Sequence, residues 1–316
     1  MLRSVVEAEV AGVLTLDAVR ELMRDVLAAS GRGDAGGPLR SVVPLGNAWF
    51  ATMPAFVRGM HGGLGAKIVT VCPANAGTAL PTHQAAILLA DPQTGALVAL
   101  VAGETITTLR TAAVSVVATQ RLAARPRGTL AILGAGVQGR AHAEAFLAAG
   151  LIERLHIWSQ SAERAHTLAR DVSATLSGVV VAATPDACVA GADVIVTATA
   201  AQNPLFAATA VADGAHVNAV GACLPDRREL PADLVGAAAV YADSFAGAER
   251  EAGDLILAAR DLGRERVAVA GELGAMLADP GRPVEHGRVT IFESLGLGLE
   301  DVACAAYVLE RLTERP

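Results

Sequence analysis

Two groups of residues in this chain have the types and spacing to do chemistry. The first is the glycine run Gly134, Gly136 and Gly139, set as G-x-G-x-x-G in "LAILGAGVQGRAHAEAF" between an apolar strand pattern and a helix pattern. In that setting the first glycine permits a tight turn. The second lets a pyrophosphate approach the backbone, and the third allows close helix-to-strand packing. The helix then opens at Val137 and Gln138, with its unbonded amides facing the anion. An ordinary glycine turn is the competing reading, and the second apolar strand "RLHIWS" favours a dinucleotide site. An NAD-selective site carries Asp or Glu about 20 residues after the glycines, whereas this chain has Ser159, Gln160 and Ser161 there, with Arg164 one helical turn on. Those groups suit a 2′-phosphate, so NADP(H) is the expected cofactor and NAD(H) the alternative.

The second group centres on Lys67 in "LGAKIVTVC" (64 to 72). Of the 25 Lys and Arg residues it is the sole lysine, and it sits inside an apolar strand pattern. Such a lysine must be paired or functional, or else must snorkel from a strand end. Its uniqueness favours a chemical requirement that arginine cannot meet.

The elements that must position these residues follow from periodicity. "TLDAVRELMRDVLAASGRG" places Val19, Leu22, Met23, Val26 and Leu27 on one helical face, with Thr15 as N-cap and Gly31 as stop. Between 39 and 102 short apolar runs and the turn "DPQTG" predict a mostly antiparallel sheet. A helix opened by threonines is predicted over 107–123, and "ARPRG" (124 to 128) reads as a linker. Beyond it strand and helix patterns alternate, which predicts a parallel sheet with crossover helices. The expected class is α/β, a doubly wound parallel sheet over 125–291 plus a discontinuous α+β domain from 1–124 with 292–316.

Bulk composition excludes several roles. A formal charge of -7 with scattered arginines leaves no basic groove for nucleic acid. The long uncharged stretch 194–212 carries Thr197, Thr199, Gln202, Asn203 and Pro204, too polar for a membrane span. "MLRSVVEAEV" lacks the apolar core of a signal peptide, which predicts a cytoplasmic protein. Cys72, Cys188, Cys223 and Cys304 are far apart without CxxC pairing, so free thiols are expected and no metal.

Seven stretches together give the chain a resemblance: "MPAF" (53 to 56), "AKIVTV", "PTHQAAILL" (81 to 89), "TTLRTAAVSVVAT", "LGAGVQGRAHAEAF", "HVNAVGACLPDRRELP" (216 to 231) and "IFESLGLGLEDV" (291 to 302). In this order they resemble the ornithine cyclodeaminase and mu-crystallin family over nearly the whole length. The resemblance implies a homodimer whose subunits pair a Rossmann domain with a substrate and dimerisation domain. It implies that Lys67 binds substrate, with Arg40 and Arg110 gripping its carboxylate, and that His83 either contacts substrate or is structural. It also implies Thr82, Arg110 and Thr111 near the nicotinamide, Thr199 near the adenosine half, and Gly221, Arg227 and Ser294 around the rest. An anionic substrate would neutralise Lys67 while the arginines supply planar two-point recognition.

The resemblance also carries a departure. Cyclodeaminases of this family have an aspartate where this chain has Cys223, and a buried thiol is a poor general base at neutral pH. Asp226 in "LPDRREL" reads as a turn residue. The expected activity is therefore NAD(P)H-dependent reduction of small cyclic ketimine acids of the pyrroline-2-carboxylate or piperideine-2-carboxylate type. A protonated ketimine arrives already activated and needs only carboxylate anchoring and hydride delivery, so the expected catalytic positions are Lys67 and Arg110, with Cys223 where the cyclodeaminases carry their aspartate. Ornithine cyclodeamination, alanine-type amino-acid dehydrogenation and non-catalytic NADP binding are the alternatives.

Overall fold

Alternating apolar residues fold the N-terminal part of the chain into a seven-stranded sheet. Its strands run in the spatial order Arg3–Val5, Leu97–Ala102, His83–Ala90, Gly63–Val71, Ala48–Val57 and Ala35–Gly36, with Ser41–Leu45 also paired to Ala48–Val57. All neighbours are antiparallel except Arg3–Val5, which runs parallel to Leu97–Ala102. This is a computed structural model that describes residues 2–59 and 61–314. It divides into two units, Met1–Arg110 with Gly296–Pro316, and Thr111–Leu295.

In the first unit, Thr15 caps the helix Leu16–Gly31 by accepting from the Ala18 amide at 3.3 Å. The stop expected at Gly31 is displaced. Gly31 is the last helical residue, and Gly33, at φ +82°, takes the left-handed conformation that turns the chain away. The C-terminal helix Gly298–Glu314 lies on the sheet because small residues let it approach. A Cβ on Gly63 would stand 3.1 Å from Val302 Cγ1, and one on Gly298 would stand 2.6 Å from the Met53 carbonyl oxygen. In the sheet register Met53 and Ile87 flank Lys67, so the first turn of this helix comes close to the middle of the sheet.

The helix expected over 107–123 runs from Glu104 to Leu122 and is not opened by its threonines. Its first amides are satisfied from far along the chain: the Glu7 carboxylate accepts from the amides of Glu104 (2.8 Å) and Thr105 (3.1 Å). The division between units falls inside this helix, at Arg110 and Thr111, and at Leu295 and Gly296, whereas sequence places it at 124 and 292. The helix does not break at the boundary, and its second half is tied into the second unit by Asn218 Nδ2, which donates to Thr119 Oγ1 at 2.9 Å.

The second unit holds an eight-stranded, wholly parallel sheet in the order Val179–Val181, Ile152–Trp158, Gly128–Leu133, Val194–Thr197, His216–Ala219, Thr290–Glu293, Ala239–Ala242 and Val269–Glu272. The central strands are buried along their whole length, as a sheet covered on both faces requires. Leu133, Ile195, Val217 and Ile291 form part of one apolar cluster, each contributing about 1.5–3 kcal/mol through burial. Winding reverses between Gly128–Leu133 and Val194–Thr197, so the ends of these two strands form the switch point where open α/β sheets bind ligands. This is the doubly wound α/β class expected. Among the described residues no helix is long and apolar enough to cross a membrane, and no group of three or more His, Cys, Asp or Glu could hold a metal ion.

Candidate active site

The glycine run lies at the switch point of the second unit, and its three glycines differ in what a side chain would meet. Gly134 has φ +112°, and a Cβ there would stand 2.4 Å from the Ala198 carbonyl oxygen at the end of the neighbouring strand. A Cβ on Gly139 would stand 1.7 Å from the Gly134 oxygen. These two glycines allow the strand, turn and helix to pack. Gly136 is different, since nothing lies within 4 Å of its Cβ position. It is the N-cap of the helix Val137–Ala148, and no side chain caps that end. An open approach over Gly136 onto uncapped helical amides, including that of Gln138, fits a dinucleotide pyrophosphate.

The loop after Ile152–Trp158 is partly committed to itself. Ser159 Oγ accepts from the Ser161 amide, and Ser161 Oγ caps the helix Ala162–Val172 by accepting from the Arg164 amide, both at 3.3 Å. The expected 2′-phosphate ligands Ser159 and Ser161 therefore have local structural duties, while Gln160 and the Arg164 side chain are exposed.

Thr199 and Gly221 stand beyond the ends of adjacent strands as expected, but their polar groups are already taken. The buried Glu229 carboxylate accepts from the Thr199 amide and hydroxyl, each at 2.6 Å, and from the Gly221 amide at 2.9 Å. Glu229 thus ties together the two loops beside the glycine run, a duty that no local pattern in "RREL" announces. Its backbone is held in turn by Asp254 Oδ1, which accepts from the amides of Glu229 (2.8 Å) and Leu230 (2.7 Å). Burial raises the pKa of Glu229 despite these bonds. Burial, then the Glu229 charge, raises Asp254 to about 7.

In the first unit, strand alternation turns Lys67 to the same face as the buried Val69 and Val71. It is 2% exposed, and Nζ donates to Asp301 Oδ1 at 2.9 Å and to Thr107 Oγ1 at 2.7 Å. Arg110 Nη1 meets Glu300 Oε2 at 2.7 Å, and its Nε lies 3.5 Å from Asp301 Oδ1. Arg40 Nη2 donates to the Gly296 carbonyl at 3.3 Å. Gly296 has φ +84°, and a Cβ there would stand 2.6 Å from Arg110 Nη1, so glycine is needed for this backbone to meet both guanidinium groups. Burial pushes the Lys67 ammonium down to about 8, with Asp301 opposing the fall and Arg110 adding to it. Sequence leaves the neutralisation of Lys67 to a substrate, whereas the structure assigns it to Asp301. Buried cations need fixed anions before any ligand arrives. The arrangement can hold a carboxylate at the guanidinium groups and keep a proton at a buried amine.

The model of the ornithine cyclodeaminase/mu-crystallin family matches residues 1–315. The chain belongs to that family. It is 37% identical to the ketimine reductase mu-crystallin of Mus musculus over 90% of this chain and 88% of that protein. It is 34% identical to a delta(1)-pyrroline-2-carboxylate reductase of Bacillus cereus, over 88% of this chain and 86% of that protein. Among solved structures, the delta(1)-pyrroline-2-carboxylate reductase of Thermococcus litoralis, in complex with NADH and L-proline, superposes with a TM-score of 0.93 at 29% identity. That superposition covers 99% of this chain and 98% of that one.

The remaining residues that family resemblance points to are distributed as follows. Thr82 Oγ1 lies 3.1 Å from His83 Nδ1, at the open start of the strand His83–Ala90. Thr111 is buried just after Arg110 on its helix. Ser294 is buried at the end of Thr290–Glu293, its amide donating to the Ala219 carbonyl at 2.9 Å. Arg227 Nη1 donates to the Ala200 carbonyl at 3.3 Å, bridging to the loop that holds Thr199. Cys223 is half-buried against the apolar cluster of the second unit. Glu300 and Asp301 were not singled out by sequence, although "LEDV" at a helix start in this family's last motif is the signal that could have drawn attention to them.

Proposed function

We propose that this chain is an NAD(P)H-dependent reductase of small cyclic ketimine acids of the pyrroline-2-carboxylate type. One observation supports this reading above the others: a solitary buried lysine grouped with Arg110 at the face of the first unit's sheet. This is a monoanion anchor with a proton source, and the relatives are reductases of C=N bonds. Arg110 and Arg40 take the substrate carboxylate, and Lys67 presents its proton to the ring nitrogen. A reduced nicotinamide held by the glycine run and the open helix end at Gly136 would supply the hydride to the carbon of C=N. Lys67 Nζ gives its proton to the ring nitrogen, which holds the former π pair once the C=N bond is reduced. The amine then regains a proton from solvent. Below about pH 8 Lys67 holds that proton, so turnover proceeds at neutral pH without a carboxylate at position 223. Cys223 is assigned no proton transfer, since it packs among apolar side chains.

For the cofactor, Val137 and Gln138 at the open helix end meet the pyrophosphate. The absence of an acid at Ser159, Gln160 and Ser161, with Arg164 exposed beside them, favours NADPH while leaving NADH usable. Phe50, Leu64 and Leu100 stand exposed on the sheet face opposite Lys67, an apolar surface suited to a second copy of the chain.

The test is loss of absorbance at the reduced-nicotinamide band with pyrroline-2-carboxylate and either NADPH or NADH, beside a cuvette holding NAD and ornithine with ammonia assayed. Substrate-dependent loss of reduced cofactor without ammonia from ornithine is expected. Ammonia and proline from ornithine, with the imine inert, would replace this reading by cyclodeamination.

A further inference from the structure

The cluster around Lys67 contains two carboxylates that the proposed reaction does not consume. Glu300 and Asp301 are consecutive, both fully buried in the first turn of Gly298–Glu314. Successive helical residues point about 100° apart, so the two side chains diverge, Glu300 to Arg110 and Asp301 to Lys67. We propose that Asp301 is a positioning residue for Lys67, holding the amine protonated and aimed through the contact between Nζ and Oδ1. This rests on the reading of Lys67 as proton donor.

The geometry distinguishes this role from a merely structural one. The contacts of Asp301 Oδ1 are the two cations, Lys67 Nζ and Arg110 Nε, and Oδ2 has no hydrogen-bond partner among the described residues. The carboxylate therefore neither caps the helix nor ties down backbone. Thr107 completes the arrangement. Its hydroxyl donates to the Gly103 carbonyl at 2.6 Å, so it can only accept from Nζ. An ammonium has three donors; two are fixed on Asp301 and Thr107, which leaves one direction for a substrate atom.

The other charged groups set what happens when Asp301 is removed. Arg110, from the helix Glu104–Leu122, opposes a charge on Lys67, and Glu300 supports it more weakly than Asp301. His83, on the neighbouring strand, is held below its ordinary pKa by burial and then by the Lys67 charge. Cys304, one turn along the C-terminal helix, has its thiol pushed up by burial and then by Asp301. Without the Asp301 carboxylate, burial and Arg110 both act against the ammonium.

Lys67 being the sole lysine makes the test direct. Ligand-free protein produced with lysine enriched in ¹³C at Cε gives one lysine resonance, whose shift against pH reports the protonation of Lys67 alone. In the wild type its midpoint is expected at about 8. In Asp301→Asn it is expected to fall by about 1–3 pH units, with the alkaline limb of kcat/KM for pyrroline-2-carboxylate falling alongside. An unmoved midpoint in folded Asp301→Asn overturns the proposal whatever the enzyme turns over. Asp301→Glu keeps the charge and covers the case in which the Asn variant does not fold. Its midpoint is expected to stay near the wild type's while kcat drops, and a midpoint far below the wild type's also overturns the proposal. Absence of any imine reduction by wild type would count against the function while leaving the comparison of midpoints fully readable.

Discussion

Replacing Gly136 by alanine separates binding from folding within the glycine run. The residue has φ -83° and ψ -163°, a conformation open to alanine, and nothing lies within 4 Å of the new methyl group. Stability should therefore hold or rise by about 0.4–1 kcal/mol as the unfolded chain loses freedom, a gain of roughly 1–4 °C in melting temperature for a unit of this size. The same methyl group fills the approach to the uncapped amides of Val137–Ala148. Each hydrogen bond to a charged phosphate is worth about 1.5–3 kcal/mol, so losing one weakens binding by about tenfold or more. Fluorescence titration of NADPH and NADH, with a melting curve on the same samples, is the assay. Gly139→Ala is the contrast, because its methyl group would collide with the Gly134 carbonyl and lower the melting temperature. A Gly136→Ala variant that binds both cofactors as tightly as wild type, with an unchanged melting curve, would refute the placement of the pyrophosphate over this glycine.

Three further outcomes follow from other residues. Arg164→Ala should weaken NADPH binding by roughly fivefold, about 1 kcal/mol for an exposed ion pair, and leave NADH unchanged in parallel titrations. Arg110→Ala strips the buried Glu300 of its guanidinium partner at 2.7 Å and should cost about 3–5 kcal/mol in urea unfolding. Asp254→Asn keeps an oxygen for the amides of Glu229 and Leu230 while removing the charge. Because the folded-state pKa of Asp254 is raised from 3.8 to about 7, the folded protein binds the extra proton between these values, and the wild type loses stability as pH rises through that window. The variant should therefore melt higher than wild type at about pH 8, and the gap should shrink by about pH 5.

The parts of this molecule that were legible in sequence are the local ones. The cradle could be read because strand, glycines and helix are contiguous, and Lys67 because a lone lysine in an apolar strand is conspicuous. Glu300 and Asp301 were hidden in plain view. Acids in a first helical turn are ordinary partners of the helix dipole, and only the approach of the helix to the sheet turns them into counter-ions of Arg110 and Lys67. Thr199 and Gly221 stand just past strand ends that the apolar runs mark, whereas their bonding to Glu229 depends on a contact 30 and 8 residues along the chain. The strands Ala239–Ala242 and Val269–Glu272 are too short to show a period, so sequence does not mark the far edge of the parallel sheet. The helix begins at Glu104, three residues before the threonine that sequence points to, for a similar reason: its cap comes from Glu7.

That distant cap ties the amino-terminal segment to the helix that carries two residues of the proposed site. Glu7 fastens the end of the helix on which Thr107 and Arg110 sit, one and two turns further along. Deleting the first ten residues, or crowding them with a fused affinity tag, would release two amides and let that end fray. Such preparations should lose turnover while keeping cofactor binding. A weakly active sample of this enzyme ought to be checked at its amino terminus before its substrate is doubted.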